Sequence, residues 1–151
     1  MSVEVRLAGI DESHAIVPLY EWLFAPPGSR PPDWQPDLAV ERLREAIAAN
    51  GSTVLVAVEA DRFVGLCTAY IDLVSVRFGV RCWVEDLAVD PSRRSEGIGR
   101  ALLAAALTWA GANGASHLEL DSGDARAGAH RFYEREGAQN ISRQFGWWLD
   151  R

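Results

Sequence analysis

Hydrophobic and polar positions change period several times along the chain. Val3 to Leu7 alternates, which predicts a first strand. Ile16, Leu19, Tyr20, Leu23 and Phe24 then fall on one helical face, with Asp11 placed to cap that helix. Asp37 stands before a second helix with Val40, Leu43 and Ile47 as its apolar stripe, and Gly51 follows as a stop. Thr53 to Val58 is almost entirely apolar and β-branched, the pattern of a strand covered on both faces. Phe63 to Val74 predicts the next strand. In the one after it, Val80, Cys82 and Val84 alternate with Arg81, Trp83 and Glu85, and Leu87, Ala88 and Val89 follow as an apolar run. Pro91 ends that strand, because it has no N–H for a ladder.

A second helix-rich part follows. Ile98, Leu102, Ala105, Ala106 and Trp109 stripe a long helix that Gly111 and Gly114 terminate. His117 to Asp121 reads as a short strand. Ala125 to Glu136 reads as a helix with Ala129 and Phe132 inward, closed by Gly137. Gln144 to Leu149, with Phe145, Trp147 and Trp148, reads as a closing strand. The strands of 53–89 are joined by short turns and should be antiparallel. The crossover from 80–89 to 117–121 runs through a helix and should be parallel. The expected architecture is α/β, a mixed central sheet with helices on both faces.

At 151 residues, 1–151 is expected to be a single domain with room for a sizeable core. No apolar run approaches a membrane span, and the N-terminus lacks the layout of a signal peptide. Cys67 and Cys82 lie in apolar runs and read as reduced core residues of a cytoplasmic protein. His14, His117 and His130 are scattered without metal-ligand spacing, so no metal is expected.

The net charge of −6 is unevenly spread: residues 1–90 carry a balance of −7 and residues 91–151 a balance of +1. Solvated surface is one source of such asymmetry. An anionic cofactor on one side and a cationic substrate on the other is a second. An acidic chain without a basic stripe argues against nucleic acid. Ala25 to Pro36 holds five prolines and is a loop of restricted shape. It either borders a substrate site or simply connects two helices.

Chemistry concentrates where the strand of 80–89 gives way to a helix. Arg94-Ser95-Glu96-Gly97-Ile98-Gly99-Arg100 places two glycines at a helix mouth, where bare N–H groups and the helix dipole suit a phosphate. A Walker loop needs a lysine, and the chain has none. A dinucleotide fingerprint needs a third small residue where Leu102 stands. The remaining pattern, Arg/Gln-x-x-Gly-x-Gly/Ala, fits Arg94, Gly97 and Gly99. Further on, Ala129-His130-Arg131-Phe132-Tyr133-Glu134-Arg135-Glu136-Gly137 fits Ala-x-x-Phe/Leu-Tyr-x-x-x-Gly. Together these signatures, and the order of elements over nearly the whole chain, resemble the GCN5-related N-acetyltransferase (GNAT) family.

That resemblance implies a sheet splayed at the acetyl-CoA site. It places backbone groups of Leu87, Ala88 and Val89 near the pantetheine, and N–H groups from Arg94 through Ser95, Glu96, Gly97, Ile98 and Gly99 to Arg100 at the pyrophosphate. Ser95 stands where the family often has glycine. Arg126 stands where an asparagine often meets the cofactor; it either reaches a phosphate or lies on the surface. A narrower likeness ties Trp83-Val84-Glu85-Asp86-Leu87, Phe132-Tyr133 and the run from Gly137 to Trp147 to the diamine (spermidine/spermine, thialysine) branch. The family likeness also suggests a homodimer built near the C-terminal end.

An alkyl amine with a pKa of about 10.4 is neutral in only about one molecule in a few thousand at pH 7, so the site must remove a proton. Glu85 and Asp86 are the candidates. Strict alternation sends them to opposite faces, and a bulge would change that. Likeness to the diamine branch favours Glu85 as base through a water, with Asp86, and Glu85 itself, binding the ammonium substrate. A backbone N–H near Leu87 is the expected donor to the thioester oxygen. Tyr133, protonated at neutral pH, is the expected acid for the leaving thiolate, or else a core aromatic like Phe132. The expected activity is acetyl transfer from acetyl-CoA to a small polycationic primary amine. A silent acyl-CoA-binding module and a protein or peptide N-acetyltransferase are the alternatives.

Overall fold

A computed structural model describes residues 2–149. Five strands form one sheet in the order β1-β2-β3-β4-β5: Glu4–Leu7, Ser52–Glu59, Arg62–Ser75, Gly79–Val89 and His117–Glu119. The first four are antiparallel in sequence, and β5 runs parallel to β4, as the connections require. The expected mixed sheet is therefore present.

Burial on β2 is continuous from Thr53 to Ala57 because the sheet is covered on both faces. Leu55, Ala57, Cys67, Ala69, Cys82 and Val84 point to helix α4, Ile98–Ala112, whose Ile98, Leu102, Ala106 and Ala110 complete that layer. Val54, Val56 and Leu66 point the other way, to Ile16, Val17 and Leu19 and to Val40 and Leu43. The two cysteines are buried and free, as their apolar context suggested.

The segment expected as one helix after Asp11 is instead a succession of short turns. A 3₁₀ turn Ile10–Glu12 leads into α1, Ser13–Ile16; a second, Val17–Tyr20, leads into α2, Glu21–Phe24. Pro18 has no N–H to donate, so the α-ladder breaks there. Its entry is capped by Glu12, which accepts from the Gly9 N–H at 2.7 Å, rather than by Asp11. The next helix, α3, spans Pro36–Ala48 and is entered through Gln35 and Pro36 at its first position. Asp37 lies inside the first turn, where it faces the positive end of the dipole rather than capping it.

The chain divides into two compact units, with the boundary between Leu120 and Asp121. The second holds one helix, α5, Ala127–Arg135. Its end is closed by the Gly137 N–H to the Glu134 carbonyl and the Ala138 N–H to the Tyr133 carbonyl, with Gly137 at φ +93°. The strand expected over 144–149 is not formed: residues 138–149 carry no regular structure. A strand needs a second backbone for its hydrogen bonds, and among the described residues this unit holds a helix and no other strand. Phe145, Trp147 and Trp148 are accordingly exposed.

Candidate active site

The middle of β4 sets the geometry. Thr68 on β3 opposes Asp86, but the next residue, Ala69, opposes Val84, so the register shifts by one residue at Glu85. Glu85 is the extra residue of a β-bulge. Val84 and Leu87, three apart, both pack on the α4 side. The bulge thereby turns Asp86 to the opposite face, where the Tyr20 hydroxyl donates to it at 2.7 Å and the Thr68 hydroxyl at 2.6 Å. Glu85 is on that face too: its Oε2 accepts from the indole N–H of Trp83, the alternating neighbour of Cys82 and Val84. The pair that strict alternation would separate is thus brought together. Glu85 is exposed, while Asp86 is largely enclosed. Burial raises the Asp86 carboxyl above its ordinary range, and the two hydroxyl donors pull it partly back.

Sequence reasoning missed Tyr20 as a site residue, because its spacing matches the core stripe it belongs to. Its ring lies 5.6 Å from that of Trp34, which in turn meets Phe24 edge-on at 4.8 Å. The one sequence clue was the hydroxyl of Thr68 inside an otherwise apolar run of β3.

Pairing of β5 with β4 covers only Arg81, Cys82 and Trp83. Among the described residues that edge of β4 has no partner strand from Val84 to Val89, so the sheet opens beside Leu87, Ala88 and Val89. Leu87 and Val89 are half-buried and Ala88 is buried. Just beyond, Ser95 and Gly97 both have positive φ, +67° and +86°. Gly97 is the N-cap of α4, and a Cβ there would meet nothing within 4 Å. The first ladder bond of α4 runs from the Ala101 N–H to the Gly97 carbonyl. The N–H groups of Ile98, Gly99 and Arg100 therefore precede the ladder. An open left-handed turn followed by bare amides fits a diphosphate such as that of coenzyme A. Ile98 can contribute only backbone, since its side chain is in the core. Arg94, Ser95 and Arg100 are exposed at the loop.

The loop is braced from behind. Asp90 accepts from the Ser92 N–H and hydroxyl at 2.9 and 2.8 Å and pairs with Arg62. Arg93 bridges Glu59 at 2.7 Å and Glu96 at 2.9 Å, so the Glu96 side chain is turned to Arg93. These carboxylates line a recess of about 350 Å³ beside Gly97. With two carboxylates against one guanidinium, Arg93, it is a poorer place for a polyanion than the amide-lined side of the turn.

In the second unit, Tyr133 lies on α5 with its ring 5.3 Å from that of Phe132, edge to face. Arg126 is the N-cap residue of α5, and its backbone N–H bonds the Gly123 carbonyl. Among the described residues no three His, Cys, Asp or Glu side chains gather as a metal site, and no helix is long and apolar enough to cross a membrane.

The Acetyltransferase (GNAT) family model matches residues 16–138. The chain belongs to the GNAT family of N-acetyltransferases. It is 33% identical over 94 residues to YhdJ of Bacillus subtilis (strain 168), described as an uncharacterized N-acetyltransferase; the match covers 62% of this chain and 66% of that one, just under two thirds of the relative's length. Its fold resembles that of the aminoglycoside N-acetyltransferase AAC(6')-Iy in complex with CoA, with a TM-score of 0.84 and 17% identity over 98% of this chain and 95% of the other. Glucosamine-6-phosphate N-acetyltransferase from Arabidopsis thaliana gives 0.79 and 19%, covering 99% and 100%.

Proposed function

We propose that the chain is an acetyl-CoA-dependent N-acetyltransferase for a small primary amine carrying more than one positive charge. The observation that carries this is the bulge at Glu85. It puts two carboxylates on one face of β4, at the point where the strand's edge opens and a diphosphate-type turn follows. Acetyl-CoA would supply an activated acetyl thioester. The residues to hold it are the Leu87–Val89 edge and the turn from Arg94 to Arg100, with Arg126 as a further contact.

Glu85, exposed at the bulge, takes the amine proton through a water, and Asp86 holds an ammonium group. A backbone N–H at Leu87 would be the donor to the thioester oxygen. Tyr133 donates a proton to the leaving thiolate. That role rests on the Tyr motif, which lies within the residues the family model matches. A panel of diamines, polyamines, amino sugars, single amines and peptides, read by release of free thiol from acetyl-CoA, tests this proposal. Efficient transfer to dicationic amines is expected; transfer only to peptides, or to nothing in the panel, would end the reading. The exposed Phe145, Trp147 and Trp148 support self-association as a homodimer. A monomer mass by light scattering at micromolar concentration would exclude it.

A further inference from the structure

We propose that Tyr20 and Thr68 are positioning residues that fix Asp86 for the acceptor's ammonium group, and that the proline-rich loop of 25–36 is a wall of the same site through Trp34. The inference rests on the amine-transfer reading above.

Both hydroxyls donate to the same oxygen, Oδ2, at 2.7 and 2.6 Å. They come from separate elements, a 3₁₀ turn and β3, so together they define where the carboxylate lies. Oδ1 keeps its lone pairs for another donor. An enclosed carboxylate without such donors is costly and drifts towards its neutral form, which cannot hold a cation. Each donor therefore does two things: it orients Asp86 and keeps it ionised.

Tyr20 also passes this arrangement to the loop. Its ring meets Trp34 at 5.6 Å and Phe24 at 6.4 Å, and the Trp34 and Phe24 rings meet each other. Arg30 of the loop sits 5.8 Å above Phe24 and pairs with Glu21 of α2 at 2.5 Å. The loop is thus held by the same short helical segment that holds Asp86. An aromatic wall beside paired carboxylates suits an alkylammonium acceptor.

Tyr20 from the 3₁₀ turn and Glu85 from its own strand share the face of Asp86, while Cys67 of β3 lies on the α4 side and senses the Asp86 charge through the sheet. Burial pushes Cys67 up to about 12 and raises Tyr20 as well, so both stay neutral across the working range. Charge changes on this face then belong to Asp86 and Glu85.

Tyr20→Phe keeps the ring and removes the hydroxyl; Thr68→Val does the same isosterically. In the full chain, the Asp86 carboxyl is titrated by ¹³C NMR, assigned with Asp86→Asn, and amine and acetyl-CoA kinetics are measured across pH. Both variants should raise the Asp86 pKa and move the acid limb of kcat/KM to higher pH. Both should also raise KM for the amine roughly tenfold, with a smaller change in kcat and in KM for acetyl-CoA. Trp34→Ala should raise the amine KM in the same selective way. If either folded hydroxyl variant leaves both the Asp86 titration and the amine KM unmoved, the positioning role is wrong, and Thr68→Val decides it should Tyr20→Phe not fold. An unchanged amine KM in Trp34→Ala removes the loop from the site. A wild-type chain inert towards every amine would defeat the transfer reading instead, while the NMR titration would still judge the positioning.

Discussion

A methyl group placed on Gly65 of β3 would lie 2.8 Å from Cδ1 of Leu102 on α4. It would also meet Ile98 at 3.1 Å and the Ala57 Cβ at 3.3 Å. Gly65 is therefore what lets α4 lie close on the sheet, with its N-terminal turn beside the end of β4. Leu102 is wholly buried, so its Cδ1 would have to shift within the packed layer. Gly65→Ala should destabilise by about 1–3 kcal/mol, the usual cost of overpacking. Urea unfolding should place its midpoint clearly below that of the wild type; an unchanged midpoint would mean the layer is looser than these distances imply.

The Gly97 position is a different kind of glycine site. Nothing crowds its Cβ, and the demand comes from φ +86° at the head of α4. Gly97→Ala should cost about 1 kcal/mol from backbone strain alone. Gly97→Asp adds a negative charge where an anion is expected, so coenzyme A affinity should fall much further than stability does. Calorimetry that finds equal affinity for the two variants would take the diphosphate away from this turn.

The mixed sheet and its strand directions were legible in the sequence because periodicity and connection length fix them locally. The glycine turn was legible because Gly97 and Gly99 stand at a boundary between two clear periods. The bulge was not: nothing in Trp83-Val84-Glu85-Asp86-Leu87 tells which residue drops out of the ladder, since register is decided across strands. Tyr20 was hidden for a related reason. Helical spacing marks it as core, and only its hydroxyl's meeting with a residue 66 positions away makes it part of the site. The aromatic residues of 144–149 have strand propensity, but propensity without a pairing partner in the same unit did not make a strand.

Acid stability should depend on Glu12. Its carboxylate pairs with Arg6 through two contacts of 2.8 Å and accepts the Gly9 N–H, which lowers its pKa from 4.5 to about 2. A depressed carboxyl stabilises the fold above its unfolded value, and that stabilisation is lost as pH falls from 4.5 through about 2. Glu12→Gln should cost about 1 kcal/mol at pH 7, the scale of a cap. The gap between variant and wild type should close in unfolding curves taken at progressively lower pH. A gap that is constant with pH would assign the loss to shape rather than charge.

Tyr133→Phe separates a proton donor from a packing ring. The phenyl group keeps the edge-to-face contact with Phe132, so folding should be unaffected. Turnover should fall roughly ten- to a thousandfold, the scale of general acid catalysis, with coenzyme A affinity nearly kept. Wild-type turnover from a folded variant would return Tyr133 to a purely structural role.

The two carboxylates that the bulge brings to one face should divide the labour of the reaction. Glu85 is exposed and can reach a water, whereas Asp86 is held by two hydroxyls and enclosed. An exposed carboxylate open to solvent suits proton removal; an enclosed one held by two hydroxyls suits holding a cation. Glu85→Gln should therefore lower kcat and move the pH–rate profile alkaline, because the amine must then reach its neutral form unaided. Asp86→Asn should mainly raise KM for a diamine, since it removes ground-state attraction. That attraction is electrostatic, so the diamine's KM should rise with ionic strength in the wild type and respond much less in Asp86→Asn. A single amine of similar size should be a poor substrate at every salt concentration. If Asp86→Asn leaves the diamine KM and its salt dependence intact while Glu85→Gln changes both, the two roles are reversed.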